Sequence, residues 1–248
     1  MPLTIASWNM QGNGQERLRA IANMDAGNCL PDVILLQESG NPERNGISSG
    51  RIVTVFMHNY RCYCSDIDPT AKFYRCTNSI LVRQDRVPYV SAVEIIDQVG
   101  YRPCPFVVFG NIVIANIHAH ADNTAQAVVV NALHFLMDHY RMWILMGDMN
   151  SNVLEERRLT PPFTPGVPVR VNLATRSRPD ICRCIYPQNP TQGSDGVRRV
   201  ILDYLYISED LYLAMQSPAM VPIDSFYIRD SAGHWISDHN MVITSLPV

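Results

Sequence analysis

Short apolar runs that close on polar side chains recur along this chain, and they restrict its architecture more than any other feature. Residues 3–9, Leu-Thr-Ile-Ala-Ser-Trp-Asn, are β-prone and end on Asn9. Residues 32–37 carry Val33-Ile34-Leu35-Leu36 and close on Gln37-Glu38, and residues 112–117 lead into His118-Ala119-His120. Trp143-Ile144-Leu145 precedes Met146-Gly147-Asp148-Met149-Asn150-Ser151. Each run is long enough for a strand and too short for a typical helix. Further strands are expected at 52–56, 61–67, 78–83, 89–96 and 106–109, and Gly110-Asn111 is a two-residue hairpin turn making 106–109 and 112–117 antiparallel neighbours.

Helical spacing appears twice. Leu18, Ile21 and Ala22 place a helix over 15–24, stopped by Gly27 and Asn28. Asp122 reads as the N-cap of a second, reaching Tyr140, with Val129, Ala132, Leu133 and Leu136 on one side. Residues 151–194 are the least regular part: a short helix at 153–158, then Pro161, Pro162, Pro165 and Pro168, which oppose a long element. Order returns at 200–207, 212–223 and 241–246. No repeat or linker breaks the pattern, so residues 1–248 are expected to form one domain of two packed sheets with helices outside.

Two sheets with a shared core need apolar residues, and 47% hydrophobic over 248 residues supplies them. A net charge of −3 argues against a basic protein that coats nucleic acid, so any phosphate site must be local. Lys72 is the sole lysine; arginine's planar fork suits phosphate, but codon bias would produce the same composition, so only arginines beside other chemistry count. The cysteines, Cys29, Cys62, Cys64, Cys76, Cys104, Cys182 and Cys184, lack Cys-x-x-Cys spacing, and a structural zinc is not expected. No basic, then apolar leader follows Met1, and no run approaches the roughly 18 apolar residues of a membrane span, so a soluble chain is expected, cytoplasmic or given without its leader.

Asp148 and Asn150 are two apart, so an extended backbone would point both the same way, onto a water or a phosphate oxygen; Gly-Asp-x-Asn is equally the composition of a plain turn. Asp203, between Leu202 and Tyr204, needs a partner inside a core strand, and a histidine suits it. Singly, Asn9 reads as a turn residue, Glu38 as a strand-end charge, His118 as a core histidine and Asp238 as a local acceptor. Jointly they read as a site.

Trp8-Asn9-Met10-Gln11-Gly12, Gln37-Glu38, Ile117-His118, Gly147-Asp148-Met149-Asn150, Leu202-Asp203-Tyr204 and Ser237-Asp238-His239 together resemble the endonuclease/exonuclease/phosphatase superfamily of deoxyribonuclease I. Within it, residues 31–38, Asn116-Ile117-His118-Ala119 and Thr191-Gln192-Gly193-Ser194 are most similar to the B subunit of cytolethal distending toxins. The resemblance implies an α/β fold, a four-layer α/β/β/α sandwich with two packed mixed, largely antiparallel sheets and the site at their shared rim. It implies Mg²⁺-dependent hydrolysis of DNA phosphodiester bonds, with Mn²⁺ or Ca²⁺ as alternative ions. Glu38 is the first choice for the metal, with Asp238 and Asn9 close by, because Mg²⁺ takes oxygen ligands and keeps several waters. Asp148 and Asn150 would orient the attacking water and the phosphate. His239, held by Asp203, would take the water's proton, and His118 would donate to the phosphoryl group; which histidine is acid and which base stays open. Arg75, Arg102 and Asn78 fall where the toxin subunit holds phosphates, and Arg198 and Arg199 are candidates for backbone contact. The implied partners are a DNA substrate and toxin delivery subunits, with no stable membrane insertion, and the implied location is a secreted protein acting in a host cell nucleus. Other readings are a phosphoinositide phosphatase on the same scaffold, an abasic-site repair enzyme and a binding protein on a degenerate nuclease fold.

Overall fold

The structure is a computed structural model, and it describes residues 2–12, 14–25, 30–40, 47–65, 77–97, 102–121, 124–151, 168–170, 181–187, 191–192, 200–215, 223–226, 228 and 237–247. Strands β1 (Leu3–Asn9), β2 (Val33–Gln37), β3 (Ile52–Val55), β4 (His58–Cys64), β5 (Ser79–Arg83), β13 (Ile223–Phe226) and β14 (Met241–Leu246) form one sheet in the order β13-β14-β1-β2-β5-β4-β3. Strands β6 (Val90–Ile96), β7 (Cys104–Phe109), β8 (Ile112–His118), β9 (Trp143–Asp148), β10 (Pro168–Arg170), β11 (Ile181–Ile185) and β12 (Asp203–Ser208) form the other, ordered β10-β11-β12-β9-β8-β7-β6. Each sheet has one parallel pair, β1 with β2 and β8 with β9, and antiparallel neighbours elsewhere. Parallel neighbours need a crossover, and helices α1 (Gly14–Ile21) and α2 (Ala125–His139) supply the two.

Three apolar layers follow from strand alternation. Ile5, Val33, Leu35, Ile80 and Val242 of the first sheet meet Val107, Ile114, Ile144, Met146 and Leu205 of the second. On the outer face of the first sheet, Ala6, Trp8, Ile34 and Leu36 pack against Leu18 and Ile21 of α1. On the outer face of the second, Phe106, Val113, Ala115 and Leu145 pack against Val128, Ala132, Leu133 and Leu136 of α2. The result is the expected α/β/β/α sandwich.

Along the shared inner layer, one end is apolar and the other polar. By the period of two, Ile5 is followed by Ser7 and Asn9, Leu35 by Gln37, Ile114 by Asn116 and His118, and Met146 by Asp148, while Asp203 precedes Leu205 on β12. The buried Gln37 Nε2 donates to Ser7 Oγ at 3.0 Å and to Asn116 Oδ1 at 2.7 Å, and Asn116 Nδ2 donates to the Leu36 and Ser79 carbonyls at 2.9 Å. These bonds join the sheets where hydrophobic contact gives out, immediately beneath the polar rim.

Several expected boundaries shift. Gly110-Asn111 makes the hairpin as expected, with Phe109 paired to Ile112. The strand expected over 61–67 is β4, which begins earlier because Phe56 and Met57 form a tight turn with φ of 50° and 60°, pairing Val55 with His58. Neither is a residue that favours positive φ; the turn is held by its amides, which donate to Ile21 O at 3.2 Å and Ala22 O at 2.7 Å. Those bonds cap the last carbonyls of α1, so the helix stops at Ile21 rather than at Met24. Its start is equally constrained: a Cβ on Gly14 would lie 2.2 Å from Ser39 O. The second helix begins at Ala125 after Thr124, and Asp122, like the helix expected over 153–158, lies outside the described residues. In place of one regular segment over 212–223, helix α3 (Glu209–Ala214) and β13 stand at either end, with Ser208 Oγ accepting from Leu211 N at 3.3 Å as the helix cap. Within the stretch expected to be least regular, β11 pairs with β12, and β10, which begins with Pro168, lies at the edge of the sheet, a position that tolerates proline. No helix among the described residues is long and apolar enough to cross a membrane.

Candidate active site

Asp148 is the centre of the polar rim. It ends β9, with His118 as its register partner on β8 and Asp203 on β12, so three adjacent strands deliver three functional groups in a row. Gly147 makes this possible: its φ is +152°, and a Cβ there would lie 2.0 Å from Ile117 O. Asp148 Oδ2 accepts from Asn9 Nδ2 at 2.8 Å, across from the other sheet, and Oδ1 accepts from the Asn150 amide at 2.9 Å. Burial raises the Asp148 carboxyl strongly; the nearby His239 charge opposes this, Asp203 adds to it, and the pKa settles at about 6.

Past Asp148 the backbone does not stay extended. Asn150 has φ of 48°, so the two side chains do not project in parallel; the Asp148 side chain closes a turn on the Asn150 amide, and Asn150 Nδ2 donates to Ala119 O at 2.8 Å. The turn chemistry of Gly-Asp-x-Asn thus aims Asp148 and ties it to β8.

His239 stands on the far side. Its Nδ1 lies 2.9 Å from Asp203 Oδ2, and its Nε2 lies 3.8 Å from both Asp148 Oδ2 and Asp238 Oδ1. Burial disfavours its cation, but Asp203, Asp148 and Asp238 together outweigh that and raise its pKa to about 10. Ser237 Oγ, which donates to Asn9 O at 2.8 Å and accepts from the His239 amide at 3.2 Å, holds this loop on β1. Trp8 Nε1 donates to His239 O at 3.2 Å, and Thr191 Oγ1 accepts from the Asp203 amide at 3.0 Å.

His118 is the counterpart on the near side. Its Nε2 is 3.7 Å from Asp148 Oδ2 and 3.7 Å from Glu38 Oε1, and Arg102 Nη1 donates to it. Burial, then the Arg102 and His239 charges, push its pKa well below the ordinary histidine value, so His118 is neutral where His239 is charged. Arg102 also donates to Ala119 O at 3.3 Å. Glu38, just past the end of β2, has φ of 48°, and Gln11, past β1, has φ of 49°. With Asn150, that places three strained non-glycine residues around one rim, the kind of backbone that packing must enforce.

The donor set fits a hard divalent cation. Glu38, Asp148, Asp203 and Asp238 bring carboxylate oxygens to the rim, and the buried Asp203 Oδ1 has no hydrogen-bond partner. Among the described residues, Asp148, Asp203 and His239 can each bring a ligand atom within 4.8 Å of the others. Asn9 is turned so that its oxygen accepts from the Gln11 amide at 3.0 Å and its nitrogen faces Asp148. Asn78 likewise commits its amide nitrogen, to Pro103 O at 3.0 Å, beside Arg102. Arg75, Arg198 and Arg199 lie outside the described residues. Reading the sequence alone passed over Gln37, Asn116 and Ser237 as parts of this rim; Gln37 and Asn116 were visible as polar residues at inner-face positions of apolar strands, and Ser237 only as a flank of Asp238.

Two carboxylate-flanked histidines over an acidic rim, at the edge shared by two sheets, define a phosphoester-cleaving hydrolase. The profile of the Endonuclease/Exonuclease/phosphatase family matches residues 6–239, and the chain belongs to that family. No curated protein sequence matches it. Among solved structures, it is similar to the cytolethal distending toxin of Actinobacillus actinomycetemcomitans, with TM-score 0.65, 18% identity and 97% of each chain covered. Truncated TDP2 of Caenorhabditis elegans is similar with TM-score 0.61 and 17% identity over 100% of this chain and 98% of that one. The 3′ phosphatase NExo from Neisseria, bound to a product DNA hairpin, is similar with TM-score 0.59 and 12% identity over 98% of this chain and 99% of that one.

Proposed function

We propose that this chain is a Mg²⁺-dependent endonuclease that hydrolyses DNA phosphodiester bonds, acting as one catalytic domain. The observation that carries the reading is a single buried carboxylate flanked by two histidines, with His118 Nε2 and His239 Nε2 3.7 and 3.8 Å from Asp148 Oδ2. The shared fold of the DNA-bound Neisseria 3′ phosphatase supports DNA as the substrate.

Hydrolysis needs an oriented water, an acceptor for its proton and a donor for the leaving oxygen. Asp148, at about 6, is ionised at neutral pH yet basic enough to accept the water's proton. His239, at about 10, carries a proton at neutral pH and gives it to the leaving oxygen as the phosphorus–oxygen bond breaks. The sequence left open which histidine is acid and which base, and this assignment gives His239 the donor's part because three carboxylates stabilise its cation. Neutral His118 and the Arg102 guanidinium face the phosphate oxygens, and Asn150 and Asn9 keep Asp148 in line. Glu38 and Asp238 are assigned to the metal, which when bound offsets the charge that builds on the phosphate, Mn²⁺ and Ca²⁺ being the other ions that suit oxygen ligands. Asn9 acts through Asp148 in this scheme, its oxygen being taken by Gln11. The likeness to the toxin structure extends the proposal to a secreted toxin's catalytic chain, with delivery subunits as partners and the host nucleus as its place of action.

The test is nicking of supercoiled plasmid by the purified chain with Mg²⁺, with EDTA, and with His118→Ala and His239→Ala in parallel. Metal-dependent nicking that falls about 10²-fold or more in each variant, with circular dichroism unchanged, is the expected result. Release of inorganic phosphate from a phosphoinositide without nicking would move the assignment to a lipid phosphatase.

A further inference from the structure

Beyond the rim itself, one link reaches the site from α1, and it rests on the endonuclease reading above. Gln11 Nε2 donates to Asp238 Oδ1, and Gln11 Oε1 accepts from Arg17 Nη2 at 3.3 Å. An amide has one donating and one accepting end, so a carboxylate on one side and a guanidinium on the other leave Gln11 a single orientation. Its backbone is held as well, since the Gln11 amide donates to Asn9 Oδ1 and its φ is 49°. Arg17 is half-buried in the first turn of α1, and its Nη1 is buried with no hydrogen-bond partner. Burial works against its charge, while Asp238, Glu38 and Glu16 stabilise it.

We infer that Arg17 and Gln11 form a positioning relay that holds Asp238 toward His239 and the metal-binding rim. Asp238 Oδ1, the oxygen that Gln11 holds, is the atom 3.8 Å from His239 Nε2. Interposing a neutral amide keeps the guanidinium one side chain away from the carboxylate. A direct ion pair would neutralise Asp238 and compete with a divalent cation; the relay orients the carboxylate and leaves its charge to be used. Arg17 and Gln11 are positioning residues, acting on the reaction through Asp238.

The experiment is a double-mutant cycle of Gln11→Ala and Arg17→Met in the full chain, with Arg19→Met, an exposed arginine of the same helix, as control. It reads kcat and KM for plasmid nicking and, separately, Mn²⁺ binding by electron paramagnetic resonance. Each single variant should lose about tenfold in kcat with KM little changed, and Gln11→Ala should bind Mn²⁺ about tenfold more weakly. The double variant should lose no more than the worse single, Arg17→Lys should recover part of the loss, and Arg19→Met should match wild type. Losses that multiply in the double variant, a loss confined to KM, or unchanged Mn²⁺ binding in Gln11→Ala would overturn the relay. Wild-type nicking with any of those results leaves the endonuclease reading standing and removes the relay alone. If the wild type does not nick, the endonuclease reading falls, and Mn²⁺ binding still decides the relay.

Discussion

Asn9 Nδ2 donates to Asp148 Oδ2 at 2.8 Å, so the end of the first strand in one sheet holds the central carboxylate of the other. The same asparagine accepts from the Gln11 amide and, through its carbonyl, from Ser237 Oγ, which ties three loops to one side chain and its backbone. The catalytic geometry proposed here is therefore a property of how the two sheets meet.

Asn9→Ala removes a hydrogen bond that favours the ionised form of Asp148. The acid limb of kcat, set by Asp148 at about 6, should move to higher pH, and stability should fall by about 1–3 kcal/mol as a buried acceptor loses its donor. Both are read from a pH–rate profile and urea unfolding. An unmoved acid limb would show that another group titrates there.

The charge of His239 makes stability depend on pH. Its folded pKa, about 10, is raised above its ordinary 6.5, so its contribution is fully present below 6.5 and is lost as pH rises through 10. Asp203→Asn removes the carboxylate on Nδ1, so His239 should titrate lower. The expected outcome is a smaller stability loss between those pH values and an alkaline limb of kcat shifted downward. Thermal unfolding across that range, with parallel rates, checks both.

Glu38→Gln keeps the size of the side chain and removes the charge assigned to the metal. The Mg²⁺ concentration for half-maximal nicking should rise about tenfold or more, while unfolding without metal changes little. Equal Mg²⁺ dependence in variant and wild type would place the ion elsewhere.

Gly147→Ala should damage the fold as much as the chemistry. A methyl group 2.0 Å from Ile117 O, on a residue with φ of +152°, forces β8 and β9 apart at the register pair of His118 and Asp148. A loss of about 2 kcal/mol or more in urea unfolding is expected, with activity falling in step.

Much of this was legible in the chain itself. Gly110-Asn111 announced its hairpin, and Asp203 in an apolar strand announced a need for a partner, which the structure supplies as His239. The turn at Phe56-Met57 was not legible, because two apolar residues hold positive φ only through bonds to the end of α1. Phe56-Met57 belongs to a general case in which a distant contact outweighs the intrinsic preference of a segment. The turn at Asn150 was legible as one of the two readings of Gly-Asp-x-Asn, and Asp148 closes it on the Asn150 amide.

By itself, the sequence determined which residues face the layer between the sheets, since a period of two assigns faces once strands are recognised: Ile5, Ser7, Asn9 on one strand, Ile114, Asn116, His118 on another. It also determined the kinds of group that collect at one end. Only the tertiary structure decided how those groups meet: that Asn9 presents nitrogen and not oxygen to Asp148, that His239 is charged and His118 neutral, and that Gln11 stands between Arg17 and Asp238. The reason is physical. Facing is set by local backbone geometry, whereas hydrogen-bond partners and proton affinities depend on burial and on charges brought close from distant parts of the chain.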